Sequence, residues 1–384
     1  MEPPPFARHQ TGVGTTDSTE DPLSPKTWIL YVDMDAFYVN CELRRHPELR
    51  GHSVIVGHRP SAAPSRAVVL SASYEARAFG VHSAQPVGEA LRRAPDADWV
   101  PPDFELYERV SHEVRDWLAL RFPAVVPHSI DEASVRASAE TLGEAVELAR
   151  RTQAELAKAL ELPSSWGVAG GRLIAKIASD RAKPGGVVGV EPDGTAAFLA
   201  PLPVRSIPGV GPKTTEILER AGIVTVGDLA QRRPRELRSL LGPWGATLVA
   251  IARGNPPPDS DEPGGPRSRS TDRTFDVDRS DRDGLEAEAE GLSRALAGSL
   301  EEEGLSYGAV GVGVRWADFE RVTRSHSLPG ATTGASALIV HGRRLLRELL
   351  QEERVGRDRA VRTLTIRAER VQTAPGGQAS LDRY

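Results

Sequence analysis

Short apolar runs that end in acidic or polar residues alternate along this chain with stretches whose apolar residues recur every third or fourth position. Residues 28 to 32 (Trp-Ile-Leu-Tyr-Val) read as a strand interior, and 124 to 130 (Ala-Val-Val-Pro-His-Ser-Ile) as a weaker one. Amphipathic spacing predicts helices over 104 to 120 and 140 to 160, and residues 67 to 77 predict a strand running into a helix. From 201 to 253 the pattern is helical with Gly and Pro punctuation. Asn255-Pro256-Pro257-Pro258 and the Asp, Ser and Gly residues up to Pro266 read as a linker. Beyond it, strands over 309 to 316 and 361 to 368 alternate with helices over 284 to 303 and 334 to 353. Residues 1 to 26 lack periodicity and are expected to form a disordered leader. The whole reads as an α+β, multidomain chain.

Both of the first two apolar runs end in carboxylates. Asp33 lies within Ile-Leu-Tyr-Val-Asp-Met-Asp-Ala-Phe-Tyr (29 to 38), and Asp131 and Glu132 lie within Ser129-Ile130-Asp131-Glu132-Ala133. An acid at the end of a buried strand is costly unless it is paired or metal-bound. If the two strands are neighbours, Asp33, Asp131 and Glu132 converge, and clustered carboxylates cannot all stay ionised without cations. All-oxygen ligands select hard ions such as Mg²⁺, and two ions about 3.5 to 4 Å apart stabilise the attacking and leaving oxygens of a phosphoryl transfer. A lone Asp-x-Asp would otherwise be a cap or turn.

Further motifs carry possible chemistry. In Ser71-Ala72-Ser73-Tyr74-Glu75-Ala76-Arg77, Tyr74 and Arg77 share a helical face and the Ser71 hydroxyl can donate; alone this is an ordinary helix surface. Residues 175 to 186 form a helix stopped by Pro184-Gly185-Gly186, with Lys183 at its end. Ile207-Pro208-Gly209-Val210-Gly211-Pro212-Lys213-Thr214 is a Gly-rich turn opening a helix, whose N–H groups and Lys213 can bind a phosphate without reading sequence, or which simply joins packed helices.

In this order the motifs resemble those of the Y-family translesion DNA polymerases, closest to the bacterial DNA polymerase IV branch, over residues 27 to 370. The resemblance implies a right-hand polymerase with palm (27 to 60 and 84 to 200), fingers (61 to 83), helix-hairpin-helix thumb (201 to 253), linker (254 to 266), little finger (267 to 370) and C-terminal tail (371 to 384). It implies two Mg²⁺ ions bridged by Asp33 and Asp131, with Glu132 serving the ion that activates the primer 3′-hydroxyl and the Met34 carbonyl completing the other shell. Asp35 is expected to be structural. Tyr38 matches the steric gate that excludes a 2′-hydroxyl, while Phe37 suits the core. Ser71, Tyr74, Arg77 and Lys183 would contact the incoming triphosphate. Gly209, Gly211 and Lys213 would contact DNA. The activity implied is template-directed, error-prone synthesis without proofreading on primer-template DNA and deoxynucleoside triphosphates. A silent DNA-binding homologue would lack a metal carboxylate, and a repair nuclease would rest on the hairpin motif alone.

Charge adds one constraint. With 48 basic and 53 acidic residues the formal charge is −5, so nucleic-acid binding must come from local patches. In the little finger candidate, Arg267, Arg269, Arg273, Arg315, Arg321 and Arg324 fall in predicted strands while acids crowd the helix at 286 to 303, which makes the strand face the expected DNA face. Lysine occurs only at 26, 158, 176, 183 and 213. Cys41 is the single cysteine, which fits a reducing, cytoplasmic setting, and no apolar run is long enough for a membrane span. Gln378 to Asp382 resembles a degenerate sliding-clamp peptide in which Ala379 and Asp382 replace apolar anchors; a plain tail is the alternative. The chain is expected to act as a monomer. Val39-Asn40-Cys41, Ser134 and Gly170-Gly171-Arg172 depart from the family pattern without touching the metal ligands.

Overall fold

The computed structural model describes residues 26–60, 66–259, 268–354 and 359–374. The expected leader up to residue 25, most of the linker, and the peptide from Gln378 to Asp382 lie outside the described residues. The strands are β1 (Lys26–Met34), β2 (Val54–Val56), β3 (Ser71–Ala72), β4 (Asp98–Val100), β5 (Val125–Pro127), β6 (Glu132–Ala139), β7 (Ser164–Ala169), β8 (Val187–Val190), β9 (Ser268–Arg279), β10 (Leu305–Trp316), β11 (Arg321–Thr332), β12 (Val361–Glu369) and β13 (Gln372–Thr373). The chain divides into two compact units, described in turn; one comprises Met1–Asp35, Arg115–Val126 and Glu132–Pro257, the other Ala36–Val114, Pro127–Asp131 and Pro258–Tyr384.

The first unit holds a five-stranded sheet in the order β5-β6-β1-β7-β8. Strand β1 is central, with a neighbour on each side, so Trp28 to Met34 is buried throughout and its part from Trp28 to Val32 reads as a continuous apolar run rather than an alternating one. The segment 124 to 130 does not form one strand ending in acids. Strand β5 stops at Pro127, which cannot donate to a ladder, and Glu132 instead opens β6, the true neighbour of β1, with Asp131 just before it. Helix Arg172–Ala182 lies directly on β7: a Cβ at Gly167 would sit 1.9 Å from the Ala175 carbonyl oxygen. Ile29, Tyr31, Ala169, Ile174 and Ile177 form one core with Leu199, Leu218, Leu237 and Leu248 of the following helices, so the expected palm and thumb share a hydrophobic interior.

In the second unit β3-β2-β4 make a small sheet, with Ile55, Val69, Ala72, Ala76, Val87 and Ala90 in its core. Strands β2 and β4 pair in parallel on either side of the range 61 to 83. Parallel pairing needs a crossover between its strands, and that non-local register leaves no local sequence signal. The little finger candidate is an antiparallel sheet in the order β11-β10-β12-β9, with helices Arg282–Glu302 and Ser336–Arg354 packed on one face through Val310, Val312, Val314, Leu364 and Ile366.

Strand alternation divides the arginines that sequence reading had placed on one face. Arg324 is registered opposite Val312 and Arg269 opposite Ala368, on the helix side; their guanidinium groups donate to Glu352 at 2.8 Å and Glu303 at 2.6 Å. Arg273, opposite Leu364, shares that side. Arg315 and Arg321 face each other on the opposite side, with Arg367 opposite Gly311 and Thr365 opposite Gly313. Arg267 lies outside the described residues.

Replacing Gly167 by Ala is expected to destabilise the chain by about 1–3 kcal/mol, the usual cost of overpacking, because strand and helix must move apart. Urea denaturation measures this as a lowered midpoint; an unchanged midpoint would show that no such close packing exists.

Candidate active site

The register of β1 against β6 sets Asp33 directly opposite Glu132, and against β7 opposite Ser165. Asp33 is 2% exposed. Period-two alternation puts Tyr31 on the same face, and its hydroxyl donates to Glu132 Oε2 at 2.7 Å. Two ammonium groups from the helix on this face neutralise the pair. Lys176 Nζ donates to Asp33 Oδ2 at 3.0 Å, to Glu132 Oε1, and to Asp180 at 3.3 Å. Lys183 Nζ lies 2.7 Å from Asp33 and 3.3 Å from Asp180. Lys176 is on that helix and Lys183 caps its C-terminal end seven positions later, about two helical turns on, so both come to one face.

Burial, with the hydrogen bond shared with Glu132, pushes the Asp33 carboxyl up to about 7 against the pull of both lysines. Burial also opposes ionisation of Glu132, but hydrogen bonds from Asp33, Lys176 and Tyr31 outweigh it and hold this group at about 2. Burial and the adjacent anions raise the Tyr31 hydroxyl. The Lys176 ammonium is held charged by Asp33 and Glu132 against its own desolvation. This is an oxygen-only donor set that requires positive charge, and it fits divalent cations. The Met34 main chain continues β1 beside it, registered with Ser164.

Within the first unit Asp33 and Glu132 form a facing pair of carboxylates. Among the described residues no group of three or more His, Cys, Asp or Glu is gathered as a metal cage. Asp131 belongs to the second unit, where its carboxylate accepts the Ser129 hydroxyl at 2.5 Å. Asp35 accepts from Ser165 Oγ and from the Gly185 N–H.

Also in the second unit, Tyr38 stands on helix Phe37–Arg45 with its ring centroid 4.8 Å from that of Tyr107 and 5.7 Å from that of Phe37. The Tyr107 hydroxyl donates to buried Glu42 at 2.6 Å, so the surface behind the Tyr38 ring is fixed by the helix that carries it. Ser71 is buried in β3, and Ser73 caps the following short helix by accepting from the Ala76 N–H. On that helix the Arg77 guanidinium lies 4.8 Å from the Tyr74 ring centroid while Nε donates to the Ala72 carbonyl. Gly209 has φ +89° and packs under Trp244, and Gly211 precedes helix Pro212–Arg220, on which Lys213 is exposed.

Sequence reading missed Lys176, Tyr107 and Glu42. Lys176 carried a signal: one of few lysines, four residues before Asp180 and seven before Lys183. Tyr107 carried none, since its partner is 65 residues away.

Residues 32–180 match the impB/mucB/samB family, residues 192–223 the IMS family HHH motif, and residues 266–382 the impB/mucB/samB family C-terminal domain. The chain is 38% identical over 357 residues to DNA polymerase IV of Methanoculleus marisnigri, covering 93% of this chain and 98% of that one. It is 40% identical over 325 residues to DNA polymerase IV of Streptomyces coelicolor, covering 83% and 67%. Among solved structures, the Y-family DNA polymerase chimera Dbh-Dpo4(243-245)-Dbh shares the fold with a TM-score of 0.78 at 24% identity, covering 89% of this chain and 98% of that one.

Replacing Lys176 by Met leaves Asp33 and Glu132 facing each other with one cation fewer. In chelator the variant is expected to lose about 3–5 kcal/mol of stability, the scale for breaking a buried ion pair, and to regain part of it when a divalent cation is added. Thermal unfolding with and without chelator reads this; equal melting of variant and parent in chelator would show that Lys176 is no counter-ion of the pair.

Proposed function

The chain belongs to the Y family of DNA polymerases, in the DNA polymerase IV branch, and is a template-directed, error-prone, divalent-metal-dependent enzyme of translesion synthesis; from that premise we propose how its residues divide the work. The observation that carries the proposal is the facing of Asp33 and Glu132 across β1 and β6 in a buried, cation-demanding position. Asp33, Asp131, Glu132 and the Met34 carbonyl would hold two Mg²⁺ ions, which when bound would supply charge neutralisation for the triphosphate and the primer 3′-oxygen.

The protein's own groups bind and orient. Lys183, now on Asp33, has a flexible stem and turns its ammonium to the triphosphate, with Tyr74, Arg77 and Ser71 as further donors. Tyr38 occupies the place of a 2′-hydroxyl, and its backing by Tyr107 gives the exclusion a rigid wall. Amide groups at Gly209 and Gly211, with Lys213, take a DNA phosphate without reading sequence. The sheet side bearing Arg315, Arg321 and Arg367, with Gly311 and Gly313 on the inner strand β10, takes the duplex. Arg324, held by Glu352 on the helix side, does not contribute. Partners are primer-template DNA, deoxynucleoside triphosphates and, through Gln378 to Asp382, the sliding clamp, for a monomeric enzyme of the cytoplasm. Among the described residues no helix is long and apolar enough to cross a membrane.

Glu132→Ala is expected to lower primer extension by a factor of about 100 to 1,000 or more while primer-template affinity stays close to that of the parent, because it removes charge only where charge develops. Extension by the purified variant at the parent rate would refute the assignment.

Charge reversal separates the two sides of the little finger sheet. Arg321→Glu should weaken binding to duplexes of every sequence and reduce the salt slope, whereas Arg324→Glu should leave both unchanged. Fluorescence titrations at several salt concentrations distinguish them; equal losses in the two variants would assign the DNA to neither side alone.

A further inference from the structure

Asp35 lies two residues beyond Asp33 and is 1% exposed, so its carboxylate needs partners. Ser165 Oγ lies 2.9 and 3.1 Å from its two oxygens, and the Gly185 N–H donates to it at 2.8 Å. The same N–H also reaches Ser165 Oγ at 2.9 Å, and the Asp35 N–H donates to the Pro163 carbonyl at 3.0 Å. From helix Leu142–Leu160 the Gln153 amide nitrogen donates to the carbonyls of Ser164 at 2.6 Å, Gly185 at 3.1 Å and Gly186 at 3.3 Å. The turn at Gly185 and Gly186 is thus gripped through its N–H and its carbonyls by three different elements.

Its backbone leaves little latitude. Gly185 has φ +67°, and a Cβ at Gly186 would lie 2.4 Å from the Ala182 carbonyl oxygen. Lys183 stands immediately before this turn, with its ammonium 2.7 Å from Asp33. A lysine stem is long and rich in rotamers, so where its backbone is rooted decides which positions the ammonium can reach.

We propose that Asp35, with Ser165 and Gln153, is a positioning clamp for Lys183: it fixes the turn from which the ammonium reaches the triphosphate, and touches neither nucleotide nor metal itself. The inference rests on the reading of Lys183 as a triphosphate ligand. It gives a role in nucleotide binding to the second aspartate of the Asp-x-Asp pair.

The test is a double-mutant cycle in single-turnover nucleotide incorporation on full-length protein, with Asp35→Asn, Lys183→Met and the pair. Asp35→Asn is expected to weaken apparent nucleotide affinity about tenfold while the maximal rate changes much less, and the double variant to be no weaker than Lys183→Met alone. Additive losses, or a fall in maximal rate with affinity unchanged, would overturn the proposal. Should Asp35→Asn fail to fold, Ser165→Ala removes one partner of the carboxylate and runs the same cycle. Amide exchange at Gly185 and Gly186, followed without nucleotide, is expected to speed up in either clamp variant, and unchanged exchange overturns the clamp. Parental affinity in Lys183→Met would instead overturn the triphosphate reading, leaving the clamp to be decided by exchange.

Discussion

Two carboxylates held face to face on adjacent buried strands are the constraint around which the first unit is arranged. Asp33 and Glu132 are opposite partners in an antiparallel ladder, so their separation is fixed by backbone pairing and not by side-chain choice. Like charges so placed inside a protein cannot both persist without cations, and the chain supplies Lys176 and Lys183 from the helix above. That helix must lie close for the lysines to reach, and Gly167 is what permits the approach. The ladder, the missing Cβ and the lysine spacing are parts of a single electrostatic solution.

The solution stays labile where catalysis needs it to be. Ammonium groups on four-carbon stems neutralise the pair, and under the proposed division of work those flexible stems would let them turn aside for divalent cations and a triphosphate. Asp35 shows the opposite strategy. It is buried, fully engaged by backbone and hydroxyl donors, and has no such freedom. The two acids are two residues apart and nearly equally buried, Asp33 on β1 and Asp35 in the turn just past its end, and different partners meet them there.

The little finger candidate shows how much strand parity matters. Its net charge gives no sign of a nucleic-acid face, since acids and arginines balance. The asymmetry arises because Glu303, at a helix end, and Glu352, on a helix, pair with Arg269 and Arg324 on one side, while Arg315, Arg321 and Arg367 lie on the other. Electrostatic focusing of this kind is a property of the folded sheet.

The sequence by itself determined the family, the motif order, the amphipathic helices over 104 to 120 and 140 to 160, and the strand that bears Asp33. These are local: a run of apolar residues, a period, a Pro-Gly-Gly stop, or a motif read in one piece. Only the tertiary structure decided that β6 and not the 124 to 130 segment lies beside β1, that the small sheet spans β2 to β4, and which arginines share a side. It alone paired Lys176 with Glu132, 44 residues away, and Tyr107 with Glu42, 65 residues away. Register and long-range pairing depend on which surfaces meet once loops close, and no local window of sequence carries that information.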